Sequence, residues 1–597
     1  MWAMVPFTTR PELKGTFGMV ASTHWLATAA GMAVLERGGN AFDAAVAAGF
    51  TLQVVEPHMN GPAGDLPVIL YEANHDQVHV VCGQGPAPRA ATLDHFRSLG
   101  LDMVPGTGLL PACVPGAFGG WLLLLREFGT WRLQDVLEFA IYYAEHGFPL
   151  VPMISDTIAG VEALFREEWT ESAGIWLAEG GVPRPGTRFR NPHLADVYRR
   201  LAREASGVSG REAQIEAARR AWYEGFVAEA IDAYVRVAEV LDVSGERHAG
   251  LLHGEDMAGW RATLEAPLGF DYGDWRVLKT GTWGQGPVFL QQLALLAGFD
   301  LRAMDPAGPE FIHTVVECAK LAFADREAWY GDPEFAPDLT TELLDPAYSE
   351  ERRRLVRDRA SHDLRPGSPG GRAPHVPRSG DPPPSRDVEG LPDLMVGIRG
   401  PGSSDTCHVD VADRWGNLVA ATPSGGWLQS SPAIPGLGFC LGTRGQIFTL
   451  ETGHPNALAP GKRPRTTLSP SLALRHGSPH MAFGTPGTDM QDQWSLTFFL
   501  RVANGGHDLQ QVIDMPMFNT DHFPRSFYPH HQLPARLVVE DRVGEDVIAE
   551  LRRRGHDVEV RPSWSLGRLC AVANDREAGL LRAAANPRRA QGYAAGR

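Results

Sequence analysis

Thr406 is the residue in this chain with the clearest route to chemistry. A hydroxyl is a weak nucleophile at neutral pH and needs a nearby base. A threonine at a chain terminus carries its own, because its free α-amine lies within reach of its Oγ, directly or through a water. That amine has a pKa near 8 in model compounds, closer to working pH than a lysine amine. Thr406 is internal, but its setting would let it become a terminus. From about Arg357 to Gly402 the chain is rich in Pro, Gly, Arg and Ser, including Arg365-Pro-Gly-Ser-Pro-Gly-Gly371 and Asp381-Pro-Pro-Pro-Ser385. Such a stretch buries too little apolar surface of its own to offset its ordering entropy, so a mobile connection is expected there. Thr406 Oγ could attack the Asp405 carbonyl, an N→O acyl shift would give an ester, and water would release the new N-terminus.

The residues after Thr406 must hold it in place. Thr406-Cys-His-Val-Asp-Val-Ala-Asp413 alternates as a strand does, Arg414-Trp-Gly-Asn417 supplies turn residues, and Leu418-Val-Ala-Ala-Thr422 reads as the returning strand. Further strands are expected at 66–82, 275–279, 471–475, 480–484, 536–540 and 568–573. Helices are expected on either side of Gly38-Gly39-Asn40, where Asn40 or Asp43 can support the second N-terminus, and at 117–128, 133–147 and 309–330. The tract 155–265 reads as predominantly helical. In the last third, helices are expected near 492–504, 509–515 and 544–554.

The bulk properties narrow the function class. A chain of 597 residues, 43% hydrophobic and 21% charged, has an ordinary globular composition. A formal charge of −16 argues against a nucleic-acid groove or an anionic membrane surface as partner. The six cysteines show neither C-x-x-C pairs nor disulfide-framework spacing and read as free buried thiols. No His/Cys/Glu cluster has metal-ligand spacing, and the glycine clusters lack P-loop or dinucleotide spacing, so neither metal nor cofactor is expected. The N-terminus lacks an export-signal pattern, and no window approaches the roughly 20 apolar residues of a membrane helix, so a cytoplasmic enzyme is expected.

Several stretches resemble the γ-glutamyltransferases (glutathione hydrolases) and their acylase-like relatives, a branch of the N-terminal nucleophile hydrolases. They are Gly18-Met-Val-Ala-Ser22, Gly38-Gly-Asn-Ala-Phe-Asp-Ala-Ala-Val46, Val55-Glu-Pro-His58, Val114-Pro-Gly-Ala-Phe-Gly-Gly-Trp121, Ala322-Phe-Ala-Asp-Arg326, Asp405-Thr-Cys-His-Val-Asp-Val-Ala-Asp-Arg-Trp-Gly-Asn417, Gly461-Lys-Arg-Pro-Arg-Thr-Thr-Leu-Ser-Pro470 and Gly484-Thr-Pro-Gly-Thr488. The resemblance implies an α/β (α+β) fold, a four-layer αββα sandwich. It would be assembled from a large region, 1–405, and a small region, 406–597, which stay associated after cleavage between Asp405 and Thr406. It implies Thr406 as nucleophile and Ser424 as a second hydroxyl that touches it. Gly487 and Thr488 would supply the oxyanion-hole N–H groups, and Thr466 and Thr467 would hold a substrate carboxylate.

The likeness fails at the α-amino acid clamp. Transpeptidases of this family grip the substrate's α-carboxylate with an Arg in an Arg-Glu-x-Ala-Pro segment, where this chain has Gln84-Gly-Pro-Ala-Pro88. A neutral amide cannot form the bidentate charged pair that Arg makes. Gln446 stands where an Asp should hold the α-amine, Gly426 stands in place of an Asn, and the Gly-rich loop reads Gly61-Pro-Ala-Gly-Asp65. Arg444, beside Gln446, could provide a different carboxylate contact or sit in a structural ion pair. The expectation is an amidohydrolase close to the acylase and oxamate-amidohydrolase branch, acting on a small carboxylate-bearing amide. A true γ-glutamyl hydrolase or transpeptidase, and a non-enzymatic binding relative, stay open, as does self-association.

Overall fold

A computed structural model describes residues 7–177, 180–379 and 406–597. Asp405 lies outside these residues, as does the stretch 380–404. Two seven-stranded sheets form the centre. One runs in the order Leu13–Gly15, Leu580–Ala585, Cys570–Asp575, Ser478–Gly484, Ser471–Arg475, Trp275–Lys279, Leu268–Tyr272. The other runs Tyr593–Gly596, Gly18–Ser22, Val409–Asp413, Leu418–Ala421, Leu66–Glu72, Gln77–Gly83, Thr263–Glu265. Neighbouring strands in both sheets pair antiparallel.

Period-2 alternation separates the layers. On the hairpin strands, Ala412, Leu418 and Ala420 point inward, to a core shared with Met19, Ala21, Leu472, Ala482, Val572 and Ala583. Val409, Val411, Val419 and Ala421 point outward, into a core closed by the helices Trp25–Glu36, Ala41–Val55 and Ala117–Phe128. The other sheet is covered by Gly286–Leu296, Pro309–Trp329 and Gln491–Gly505. The order helix, sheet, sheet, helix is the expected αββα sandwich.

The Ala-rich pair of helices shows how the sequence sets this packing. The Asn40 side chain accepts from the N–H of Phe42 and Asp43, and Asp43 returns the bond to the Asn40 N–H, a capping box. Asp43 also takes the Thr130 and Trp131 N–H groups, fixing the turn after Ala117–Phe128.

Residues 357–379 differ from the mobile connection expected of them. Trp329 Nε1 donates to Gly367 O (3.1 Å), Arg365 pairs with Glu317 (3.2 Å), and the Ser361 N–H donates to Glu317 (3.3 Å). Asp325 accepts the Gly367 N–H. Composition undervalued this stretch because it brings no core of its own. It instead satisfies buried acids on Pro309–Trp329, which would be costly to leave bare.

Candidate active site

The hairpin extends past its regular strands. Cys407 N–H donates to Pro423 O (2.9 Å), and Thr406 and Ser424 form an isolated antiparallel bridge. By alternation Thr406, His408 and Asp410 share the inner face, while Cys407 faces the helices. Thr406 Oγ donates to Ser424 Oγ at 3.2 Å, and both side chains are buried.

Ser424 is in turn fixed from the first region. Its backbone exchanges two hydrogen bonds with Asp65 (2.7 and 3.0 Å). Gly64 passes so close that a Cβ there would stand 2.0 Å from Ser424 O, which is why a glycine precedes Asp65. The N–H groups of Gly116 and Ala117, at the start of Ala117–Phe128, both donate to Gly64 O (2.8 Å). Asp65 accepts from Arg444 Nε at 2.6 Å, and Arg444 Nη2 donates to Ser424 Oγ at 3.0 Å. The guanidinium lies 5.4 Å from the Trp427 ring and 5.5 Å from the Phe527 ring. Gln84 Nε2 reaches Asp65 at 3.4 Å. Gln84, Asp65, Arg444, Ser424 and Thr406 therefore form one buried polar chain. Burial pushes the Asp65 carboxyl up, and the Arg444 cation works against that rise. Arg444 Nη1 and Gln84 Oε1 are buried in it with no hydrogen-bond partner. Such orphaned groups are rare and costly unless a ligand or water completes them.

A second buried cluster backs Thr406. Arg568 Nη2 donates to the Thr406 carbonyl (3.0 Å), and the Arg568 N–H donates to Thr485 Oγ (3.0 Å). Its Nη1 stands 3.6 Å from Glu56, an ion pair too long for a hydrogen bond. Glu56 also accepts from Thr23 Oγ (2.6 Å), Cys407 Sγ (3.0 Å) and Gln591 Nε2 (3.2 Å). The six cysteines are all buried and unpaired, as expected, but Cys407 is held as a donor to Glu56.

Through Thr485, Arg568 ties the loop 484–490 to Thr406. Gly487 has φ 135° and Thr488 φ 50°, and a Cβ at 487 would stand 2.3 Å from the Trp494 ring. Gln285 Nε2 donates to Thr488 O (3.3 Å), and Arg326 Nη1 bonds both Gln285 Oε1 (2.8 Å) and Asp489 (2.6 Å). Ser526 also binds Asp489, through its N–H at 3.0 Å. This clamp holds a backbone that non-glycine residues rarely adopt. Among the described residues the Gly487 and Thr488 N–H groups donate to no partner, as an oxyanion site requires. Gly487→Ala would push this loop off the Trp494 ring and misplace the N–H groups, so turnover is expected to fall about 100-fold or more and the melting temperature to fall with it, checked by steady-state kinetics beside a melting curve.

Other expected contacts fall differently. The Gln446 amide is spent on Gly106 O (3.0 Å), Thr443 O (3.1 Å) and the Tyr528 N–H (3.3 Å), so it ties loops together. Gly426, at φ 70°, lets its backbone pack on Gly61, where a Cβ would meet Gly426 O at 2.7 Å. The Thr466 N–H donates to Trp283 O and its Oγ accepts from Leu468, while Thr467 Oγ is buried without a partner. Neither threonine is hydrogen-bonded to Thr406 or Ser424. Asp65 entered the reading only as part of an altered loop, Glu56 only inside a family stretch, and Arg568 not at all. No helix among the described residues is long and apolar enough to cross a membrane, and no metal-binding cluster occurs among them.

Comparison with known proteins agrees with this architecture. The chain is 31% identical over 579 residues to the glutathione hydrolase-like YwrD proenzyme of Bacillus subtilis (strain 168), covering 96% of this chain and 97% of the relative. It is 31% identical over 594 residues to the oxamate amidohydrolase proenzyme of Klebsiella pneumoniae subsp. pneumoniae, covering 97% and 98%. The solved structure of LmbA2991HD superposes with a TM-score of 0.93 at 55% identity, covering 99% of this chain and 100% of that one. The gamma-glutamyltranspeptidase family model matches residues 27–596. With its sandwich fold and nearly full-length match, this chain is an enzyme of the gamma-glutamyltranspeptidase family.

Proposed function

We propose that the chain cleaves itself between Asp405 and Thr406, and that the freed Thr406 is the nucleophile of an amidohydrolase acting on a small amide that carries a carboxylate. The observation that carries this reading is the contact of Thr406 Oγ with Ser424 Oγ at 3.2 Å, with Arg444 fixed to the same hydroxyl. Two of the relatives are proenzymes by name, which supports self-cleavage.

In turnover the Thr406 α-amine takes the proton from Oγ as Oγ attacks the substrate carbonyl. The Gly487 and Thr488 N–H groups receive the oxyanion, and the amine leaves with a proton returned from the α-amine. Water then attacks the Thr406 ester and frees the acid. The unpartnered Nη1 of Arg444, whose guanidinium lies beside the Trp427 and Phe527 rings, is where a substrate carboxylate would dock. A γ-glutamyl group would also need an anionic partner for its α-amine. Gln446 offers no charge, and its amide is already engaged.

A denaturing gel with N-terminal sequencing tests the cleavage. Two bands are expected, the smaller beginning at Thr406; a single 64.9 kDa band that persists on long incubation would overturn it. A panel of small amides tests the substrate class. Faster release of p-nitroaniline from a γ-glutamyl anilide than of ammonia from α-carboxy amides would sink the substrate reading.

A further inference from the structure

The cluster behind Thr406 has a charge pattern that bears on the base. We propose that Arg568 is a positioning residue that keeps the α-amine of freed Thr406 unprotonated near neutral pH. This rests on the reading of Thr406 as the nucleophile. Arg568 Nη2 holds the Thr406 carbonyl at 3.0 Å. The amine of the same residue is two bonds from that carbonyl carbon, which keeps it within roughly 8 Å of the guanidinium charge. A protonated amine there faces a buried cation, so the neutral, basic form is favoured.

The other groups facing this spot do not cancel the effect. From the end of helix Ala41–Val55 comes Glu56, the one carboxylate of the cluster among the described residues, already receiving Thr23, Cys407 and Gln591. Burial holds His58 well below its ordinary value and His24 at about 4, so both are neutral at pH 7. Burial keeps the Cys407 thiol protonated. Arg589, from the C-terminal segment, is lowered by burial to about 9 and remains a cation. On the strand that Thr406 leads, His408 closes on Asp410 (2.8 Å) and Thr422 (2.9 Å). On the far side Arg444 and Asp65 form a pair. Among the described residues, outside the His408–Asp410 pair, three guanidinium groups and two carboxylates belong to these clusters, a positive balance.

At roughly 6 Å and an effective dielectric of about 20, a unit charge changes a protonation equilibrium about a hundredfold. Glu56 pulls the amine the other way, so the net displacement is about one pH unit, while Arg568 alone contributes about two. The chemistry balances simply: a neutral amine accepts the Oγ proton and returns it to the leaving amine, with no other reactant required.

The test reads the amine directly on the self-cleaved protein. A trace of acetic anhydride acylates only neutral amines, and mass spectrometry of the tryptic peptide Thr406–Arg414 against pH gives the amine's midpoint. With only four lysines in the chain, competing sites are few. Wild type is expected below the ordinary value near 8. Arg568→Gln keeps an N–H donor for the carbonyl but loses the charge, and should raise the midpoint by about two units. Arg568→Lys should leave it near wild type. Glu56→Gln removes the opposing charge and should move it down, giving a second variant of opposite sign. Cleaved Arg568→Gln protein with an unmoved midpoint would overturn the role of Arg568 alone. Absence of a Thr406 terminus in wild type would instead overturn the nucleophile.

Discussion

Thr406→Ala should give a single uncleaved band and no turnover above background, a loss of at least about 10⁴-fold on the proposed mechanism. The same atom performs both steps, so the two losses should appear together. Ala keeps the backbone bridge to Ser424 and the Arg568 contact with the carbonyl, because both use main-chain atoms. The native circular dichroism spectrum should therefore be retained, since only one hydroxyl contact is removed. Thr406→Ser should cleave, more slowly, because the hydroxyl remains while the methyl group that limits its rotation is gone. Full turnover by uncleaved Thr406→Ala protein would end the N-terminal nucleophile reading.

Arg444→Met should be the most damaging change among the residues around Ser424. It leaves the buried Asp65 carboxylate without its partner at 2.6 Å, a break that typically costs about 3–5 kcal/mol. The variant can reduce this cost by protonating Asp65, and the sign of the pH dependence follows. Burial already raises Asp65, and losing Arg444 raises it further. Between the unfolded value near 3.9 and that raised value, the folded state holds one proton more than the unfolded state. Stability of the variant should therefore fall as pH rises through this window and level off above the folded value. Adding Asp65→Asn should recover most of the stability and flatten the profile. If Arg444 also binds the substrate carboxylate, the stable double variant will still show a raised KM. A normal KM in that protein would leave Arg444 as a structural ion pair only.

The local parts of this molecule were legible and the long-range ones were not. The hairpin at Val409–Asp413 and Leu418–Ala421 announced itself by alternation and a turn, and the helices Ala117–Phe128 and Pro309–Trp329 fall where helices were expected. Leu580–Ala585 escaped because Leu-Leu-Arg-Ala-Ala-Ala has helical propensity, and pairing with Cys570–Asp575 overrides it. The tract 155–265 hides the strands Glu239–Leu241, Arg247–Ala249 and Thr263–Glu265 among its helices. At the site, Thr406, Ser424, Gln84 and Arg444 were found by motif position and do converge. Arg568 and Glu56 are a pair 512 positions apart in sequence, and nothing local marks either as a partner of Thr406.

The strand that leads from Thr406 lies in the interior of its sheet, between Gly18–Ser22 and, through its hairpin, Leu66–Glu72. On the other flank of Gly18–Ser22, the C-terminal strand Tyr593–Gly596 pairs at the sheet edge. If the Asp405–Thr406 bond is cut, the two pieces are interleaved and cannot part without tearing both sheets. Unfolding then becomes dissociation, and recovery changes from a first-order event within one chain to a second-order encounter between two. The uncut chain should refold at a rate independent of concentration, whereas the cut enzyme, once lost, should return slowly and only when concentrated. A matured molecule of this design would owe its lifetime to the height of its unfolding barrier more than to an equilibrium it can revisit.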